Sequence, residues 1–442
     1  MGIPVYFASL IKSHKNIVDT VKKNIPRSVD VLGVDFNCLI HRYLIDEDPI
    51  NSVLNAFQYI LENVCHAKQV IIALDGLVPY AKIVQQRYRR MRVKESTGSF
   101  DRNQISPDTP YMRELEKALA TRFPYAIISG TSVPGEGEHK LIQEIKKIPE
   151  VSRNTICIYG LDADLILICL KHHKLSKSHG MTLLRESAEF NDPSMKTAEF
   201  ATLSIWRLLD QLPIEINQYI ALSIMCFGND FMPSLGMFSL REDGYDRALH
   251  LYQECKKPNL LTKEGRHKFL SLASVNEYET LKQKILHRKR PEEKTVLGKS
   301  TKLFNRKYGL HVLDGVYNMA PVVEAYWKTF SWTLAYFDRS VPSNWDWVYP
   351  YSDAPLISEI LKFSEPDTIH EAPLNFTITQ QLQFIMPKSS LRQSKRVVKF
   401  SDEIYDETRN PWMKRHDWEM KPRISLPWNP TYQLTSVSHL PV

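Results

Sequence analysis

Two glutamates, Glu136 and Glu138, stand one glycine apart in VPGEGEHK (133–140). Twenty-four residues past Glu138, GLDADL repeats the spacing with Asp162 and Asp164. Two apolar runs end directly in aspartate, VDVLGVD at Asp35 and QVIIALD at Asp75, and FGNDFMP carries Asp230 in a Gly-Asn-Asp turn. Carboxylates a few ångströms apart repel and raise one another's pKa, so such a cluster is costly until cations occupy it. Hard divalent cations take oxygen ligands, and Mg2+ binds through a few carboxylates plus waters and substrate phosphates. Two such ions, typically ~3.5–4 Å apart, can stabilise the attacking and leaving oxygens of phosphodiester cleavage. Each acid also has a plain structural use, because Asp caps helix N-termini and Glu in a first turn suits the macrodipole. A cap needs one acid per helix, however, and here the acids come in doublets.

Asp75 opens a second stretch, DGLVPYAKIVQQRYRRMRVK. Lys82, Gln86, Arg89 and Arg90 fall at i, i+4, i+7 and i+8, one face of a helix, with Arg87 and Arg92 elsewhere. Arg forks and a Lys point charge on one face suit a phosphate. The alternative is a basic face turned to water. A pocket for a terminal 5′ phosphate would select chain ends. His41 follows Asp35 by six residues and belongs near the acids, as a stacking residue or as a structural histidine. The segment from Val322 to Pro355 holds four tryptophans. Most of these aromatics are expected in the core, with one or two able to stack on bases.

Four short apolar runs must position these groups as buried strands: 29–35, 69–75, 125–129 and 154–160. Helical patterns separate them at 50–66, 79–95, 110–122 and 136–148. Alternating strands and helices predict a largely parallel α/β sheet, whose sites lie at the carboxyl ends of the strands. Leu141, Ile142, Ile145 and Ile148 give the helix after Glu136 one apolar face against the sheet. Two residues apart on a helix is about 200°, so Glu136 and Glu138 share a target only if Glu136 lies in the glycine-bracketed turn and Glu138 in the first helical turn. Residues 200–225 read as helical and apolar, and HRKRPEEK (287–294) reads as an exposed linker.

At 442 residues, 43% hydrophobic and 24% charged, the chain is a globular protein too long for one ordinary core. A net charge of +7 permits a nucleic-acid partner. The cysteines at 38, 65, 157, 169, 226 and 255 lack metal-ligand spacing and read as reduced thiols of an intracellular protein, not a zinc site. The N-terminal MGIPVYFASLIKSHK lacks the features of a signal peptide, and Tyr6 stands where a myristoylation signal wants Ser or Thr. It is expected to form a short amphipathic helix on the core. No run reaches the ~18 apolar residues of a membrane span.

Taken together, MGIP, VDFNCLIH, LDGLVPYAKIVQQRYRRMR, FDRNQISPDTPYM, ISGTSVPGEGEHK, IYGLDADLI, LLRE (183–186) and FGNDFMP resemble the Xrn-type 5′→3′ exoribonucleases. Weaker matches are LLTKEG, the WVYPY segment and QQLQFIMPKSS, and the resemblance covers roughly residues 1–390. It implies a PIN/FEN-like α/β nuclease core with a helical, aromatic-rich segment packed on it. It implies two Mg2+ ions, with Mn2+ as a substitute, and processive release of 5′ mononucleotides from single-stranded RNA bearing a 5′ monophosphate. Carried over by motif, the catalytic metal acids are Asp35, Asp75, Glu136, Glu138, Asp162, Asp164 and Asp230. The 5′-phosphate pocket falls on Lys82, Gln86, Arg89 and Arg90, and base stacking on His41 and Trp332. The expected compartment is the cytoplasm, with the nucleus as the alternative.

Two departures touch the RNA channel: YWKTFSW (326–332) lacks the family's central glutamate and glycine, and PYSDAP (350–355) replaces PYHYAP. The expected organisation is a nuclease core over 1–240, a helical segment and charged linker over 241–300, an aromatic segment over 301–390 and a C-terminal extension over 391–442. The expectation is a compact form without the large C-terminal modules of bigger members. The rival functions are a FEN-like DNA flap endonuclease and a non-catalytic RNA-binding module.

Overall fold

A computed structural model describes residues 3 and 5–386, apart from 23–24, 93–99, 191–198, 289–293, 295, 314–315, 352 and 367–369. The proposed extension over 391–442 and the middle of the HRKRPEEK stretch therefore lie outside the described residues.

Strands β1 (Val18–Thr20), β2 (Arg27–Asp35), β3 (Cys65–Ala73), β4 (Ile127–Ser129), β5 (Ile156–Tyr159), β6 (Met181–Glu186) and β7 (Phe200–Ser204) form one sheet in the order β1-β7-β6-β5-β2-β3-β4. Strands β2 to β6 are mutually parallel, and β7 runs antiparallel to both β6 and β1. Asp35 lies opposite Ala73, Ala73 opposite Ser129, and Val34 opposite Tyr159, so four carboxyl ends stop at one level. The four apolar runs read from the sequence are β2, β3, β4 and β5. Residues 200–204 are a strand rather than the start of a helix. All five are buried, so no alternation of apolar and polar residues marks them.

Among the described residues the sheet is accompanied by helices α1 (Tyr6–Ser13), α2 (Phe36–Tyr43), α3 (Asn51–Asn63), α4 (Tyr80–Arg92), α5 (Pro110–Arg122), α6 (Gly137–Lys146), α7 (Asp164–Lys171), α8 (Ile205–Gln211) and α9 (Ile216–Phe227). Alternate residues of the parallel strands enter different layers, as a pleated strand dictates. Val31, Ile71, Ile156, Ile158 and Leu183 pack with Leu141, Ile142 and Ile145 of α6 and with α7 and α9. Leu32, Val34, Ile72, Cys157 and Tyr159 pack with α2, α3 and α5. Burying each such side chain is worth about 1.5–3 kcal/mol, so both layers hold the strand ends firmly. Helix α1 lays Tyr6 and Leu10 into the first layer, as its amphipathic pattern predicts.

A helical region follows: α10 (Gly244–Glu254), α11 (Lys263–Ser274), α12 (Glu277–Arg288), α13 (Thr301–His311), α14 (Ala320–Arg339), α15 (Ile357–Ile360) and α16 (Ile378–Ile385). The long α14 buries Val323, Tyr326, Phe330, Trp332 and Tyr336 in the same layer as α7 and α9. Helix α4 is not a solvated basic helix. Tyr80, Ile83 and Val84 pack with Trp345, Phe384 and Ile385, and every residue from Tyr80 to Arg87 is buried.

Candidate active site: a carboxylate cluster at the sheet rim

The acids at the strand ends are not caps. Thr109, Ser204, Glu215, Thr262, Ser300 and Thr377 each cap a helix through a side-chain oxygen. Asp35 and Glu136 occupy the same position on α2 and α6 and make no such bond. Glu136 has extended backbone in the turn and Glu138 lies in the first turn of α6, the arrangement their spacing predicts.

Asp35 accepts a hydrogen bond from Cys38 Sγ at 2.9 Å through Oδ2, and its Oδ1 has no partner. Asp75 Oδ1 accepts from the Gly137 N–H at 2.7 Å. A Cβ at Gly137 would come within 2.9 Å of Asp35 Oδ1 and 3.5 Å of Asp75 Oδ1, so only glycine lets α6 start between the two carboxylates. Glu138 Oε2 and Asp164 Oδ1 are also buried without a partner. Glu136 is bound on both sides, by Lys82 Nζ at 2.6 Å and the Tyr336 hydroxyl at 2.9 Å. Lys82 Nζ also reaches Asp230 Oδ2 at 3.0 Å. Asp230 sits in a turn opened by Gly228, whose φ of +68° excludes a side chain, as does the 2.5 Å that a Cβ there would leave to Ser234 N.

Burial, followed by mutual repulsion, sets the ionisation of this group. It raises Asp164, with Asp230 adding to the effect, and raises Glu138 well above the usual range, with Asp164 and Glu136 adding. Glu136 is raised by burial against the pull of Lys82. Asp35 is pushed up to about 6 by burial and the Asp75 charge. The structure thus brings Asp35, Asp75, Glu136, Glu138, Asp164 and Asp230 into one electrostatic neighbourhood. Asp162 is half-buried on the loop that leads into α7, whose first residue is Asp164.

A raised carboxyl pKa favours the folded state only while protonated. Asp35's contribution is therefore complete below the ordinary carboxyl value near 4 and is lost as pH rises through about 6. With chelator present, denaturant unfolding should show the chain losing ~2–3 kcal/mol from this group between pH 4 and 7.5. Asp35→Asn should flatten that dependence; an unchanged profile would refute the assignment.

The donor set fits a hard divalent cation, being all carboxylate with three buried oxygens unsatisfied. Among the described residues, no three His, Cys, Asp or Glu side chains already converge as a ligand shell. Lys82 partly neutralises the group instead.

Lys82 is also the first residue of the expected phosphate face. Lys82 turns into the acids. Gln86 Oε1 accepts from Gln381 Nε2 of α16 at 3.3 Å. Arg90 donates to the carbonyls of Asn103 (2.8 Å) and Ile105 (3.2 Å). The side chain of Arg89 lies outside the described residues. Lys82, Gln86 and Arg90 thus engage different partners: the acids, Gln381 and the 103–105 carbonyls. His41 is exposed on the last turn of α2. Trp332 is fully buried, its indole N–H donates to Asn344 O at 2.7 Å, and Phe231 and Tyr336 pack on it. No ring face is left for a base.

Sequence reasoning missed the groups that hold the acidic loops. Lys140 Nζ donates to the carbonyls of Leu74 (2.7 Å), Gly130 (2.6 Å) and Val133 (3.1 Å), pinning the turns before Asp75 and Glu136. Arg185 donates to Gly160 O at 2.9 Å, to Leu161 O and to Asp162 O at 3.0 Å. Asn37 Oδ1 accepts the Asp75 N–H at 3.0 Å. The available signal was a lone cation inside an apolar pattern, in EHKLI and in LLRE. Such a cation must find buried acceptors.

Comparison with known proteins matches residues 1–99 and 92–187 to the XRN 5′-3′ exonuclease N-terminus and residues 297–397 to the Xrn1 helical domain. The chain is 28% identical to 5′-3′ exoribonuclease 2 of Debaryomyces hansenii, over 66% of this chain and 39% of that protein. It is 27% identical to 5′-3′ exoribonuclease 1 of Saccharomyces cerevisiae (58% of this chain, 21% of that protein). It is 24% identical to human 5′-3′ exoribonuclease 1 (88% and 31%). The chain thus spans well under half the length of these relatives. Among solved structures, flap endonuclease-1 from Methanococcus jannaschii aligns with a TM-score of 0.32 and 17% identity, over 53% of this chain and 75% of that one.

Proposed function

The chain belongs to the XRN 5′-3′ exonuclease family, and from that membership we propose that it is a divalent-metal-dependent, processive 5′→3′ exoribonuclease acting on single-stranded RNA with a 5′ monophosphate. One observation carries the reading beyond family. Asp35, Glu138 and Asp164 each bury a carboxylate oxygen with no hydrogen-bond partner at the carboxyl rim of the sheet. A structural role alone would leave these oxygens paired.

In the proposed reaction, water oxygen bonds to the phosphorus between the first and second nucleotides. The bond from phosphorus to the 3′ oxygen of the first nucleotide breaks, and that oxygen leaves with a proton. The products are a 5′ mononucleotide and a chain that again begins with a 5′ monophosphate. Asp35, Asp75, Glu136, Glu138, Asp162, Asp164 and Asp230 would hold Mg2+ or Mn2+, which when bound supplies Lewis-acid stabilisation of the phosphoryl oxygens. Lys82, Gln86, Arg89 and Arg90 would take the 5′ phosphate once Lys82 and Arg90 exchange their present partners for it. His41 would stack on an adjacent base. Regeneration of the 5′ monophosphate after each cut lets the same residues rebind the shortened chain, the chemical basis of processivity.

The test compares 5′-monophosphate RNA, 5′-hydroxyl RNA and 5′-flap DNA, with and without Mg2+, and sizes the products. Mononucleotides from the first substrate, dependent on Mg2+ and at least about tenfold faster than from 5′-hydroxyl RNA, are expected from loss of the charge-assisted phosphate contacts. Internal DNA cuts would establish the flap-endonuclease alternative.

A further inference from the structure

The acid site is closed by a side chain from far along the chain. The Tyr336 hydroxyl lies 2.9 Å from Glu136 Oε1, across 200 positions of sequence. Its ring is fully buried and stacks on His139, with centroids 3.9 Å apart and planes 27° from parallel. Phe231 and Trp332 pack edge-on and tilted around it at 5.9 and 5.2 Å. A second bond ties the same two helices, from Gln143 Nε2 of α6 to Ser340 O at the end of α14 (2.7 Å). Tyr336 therefore has little rotational freedom, and its hydroxyl points at one carboxylate oxygen.

We propose that Tyr336 is a positioning residue for the metal-binding acid Glu136, so that helix α14 forms one wall of the nuclease site. The inference rests on the functional reading above. Glu136 has two oxygens with different partners: Lys82 holds Oε2 and Tyr336 holds Oε1. The tyrosine fixes the carboxylate plane while Lys82, on a flexible stem, remains able to leave. Without the hydroxyl, nothing on the α14 side opposes rotation of Glu136 toward Lys82, and the oxygens offered to a cation change. Hydrogen-bond partners behind metal ligands typically contribute 10–100-fold in metal affinity or activity.

Tyr336→Phe tests this while keeping the ring and its stack. Mn2+ binding to the whole chain, followed by calorimetry without RNA, should weaken about 10–100-fold. On 5′-monophosphate RNA at fixed Mn2+, kcat should fall and KM should stay, and raising Mn2+ should restore part of kcat. Tyr326→Phe is the control. It removes an equally buried hydroxyl on the same helix, bonded to Met225 O at 2.5 Å, and should leave Mn2+ affinity within twofold. Wild-type affinity in Tyr336→Phe would overturn the proposal, as would equal losses in the two variants, which would mean general loosening of α14. A wild-type chain that binds no Mn2+ would overturn the metal reading itself, a separate failure.

Discussion

Asp164→Asn should abolish Mg2+-dependent degradation of 5′-monophosphate RNA and at the same time raise the melting temperature of the metal-free chain. The two effects have one origin. Asp164 is buried, its Oδ1 lacks a partner, and Asp230 repels it. Asparagine removes the charge at nearly the same volume, so repulsion inside the cluster falls and the fold gains about 1–2 kcal/mol. Under the proposed function the same change removes a metal ligand, and rates should drop on the order of 10³-fold or more, the scale seen when one member of a catalytic unit is lost. Replacing Asp162 and Asp164 together with alanine should be equally inactive. Single-turnover kinetics and thermal unfolding in chelator measure both halves. Retained activity would end the nuclease reading, and a lower melting temperature would show that Asp164 serves the fold.

Lys140→Met should have the largest effect on stability. The residue is 1% exposed, and its ammonium serves three carbonyls, two of them fully buried with it. Burial pulls its pKa down to about 8, against the favourable charges of Asp75 and Glu116. Methionine fits the stem but takes the ammonium from the Leu74 and Val133 carbonyls and leaves Gly130 O with only the Val133 N–H (3.1 Å). Leaving a buried acceptor unsatisfied costs about 1–3 kcal/mol each, so a loss of about 2–5 kcal/mol is expected. Arginine is no substitute, because a planar fork does not match three acceptors converging on one point. Urea unfolding at pH 7 should show a lower midpoint with an unchanged slope, and a loss under about 1 kcal/mol would refute the role. Activity should fall as well, since the same ammonium holds the turns before Asp75 and Glu136.

Much of this site was legible because an apolar run ending in an acid has few physical interpretations. A buried parallel strand must stop at a rim, and Asp35 and Asp75 mark where two of them stop. The Glu136–Gly137–Glu138 turn was legible for the same kind of reason, since helical geometry forbids the two acids a shared face. Depth was not legible. The i, i+4, i+7 spacing of Lys82, Gln86 and Arg89 identifies a face of α4 without showing that α16 covers it or that Lys82 turns to Glu136 and Asp230. Trp332 carried a motif's role into a place where packing leaves it no open face. Strand β7 was hidden because burial on both faces erases periodicity. The Tyr336–Glu136 bond was hidden because no local pattern encodes a contact between residues so far apart.

That last contact bears on the order in which the molecule is made. Chains emerge from the ribosome N-terminus first and fold progressively. Strands β1 to β7 and the acids through Asp164 are complete by residue 204, and Asp230 follows. Helix α14, which supplies the hydroxyl to Glu136, is synthesised only after another ninety or so residues. A nascent chain therefore carries every carboxylate of the cluster well before it carries the tyrosine that holds Glu136 in place. Translation order builds in an interval during which the carboxylate cluster exists without the wall that α14 adds to it.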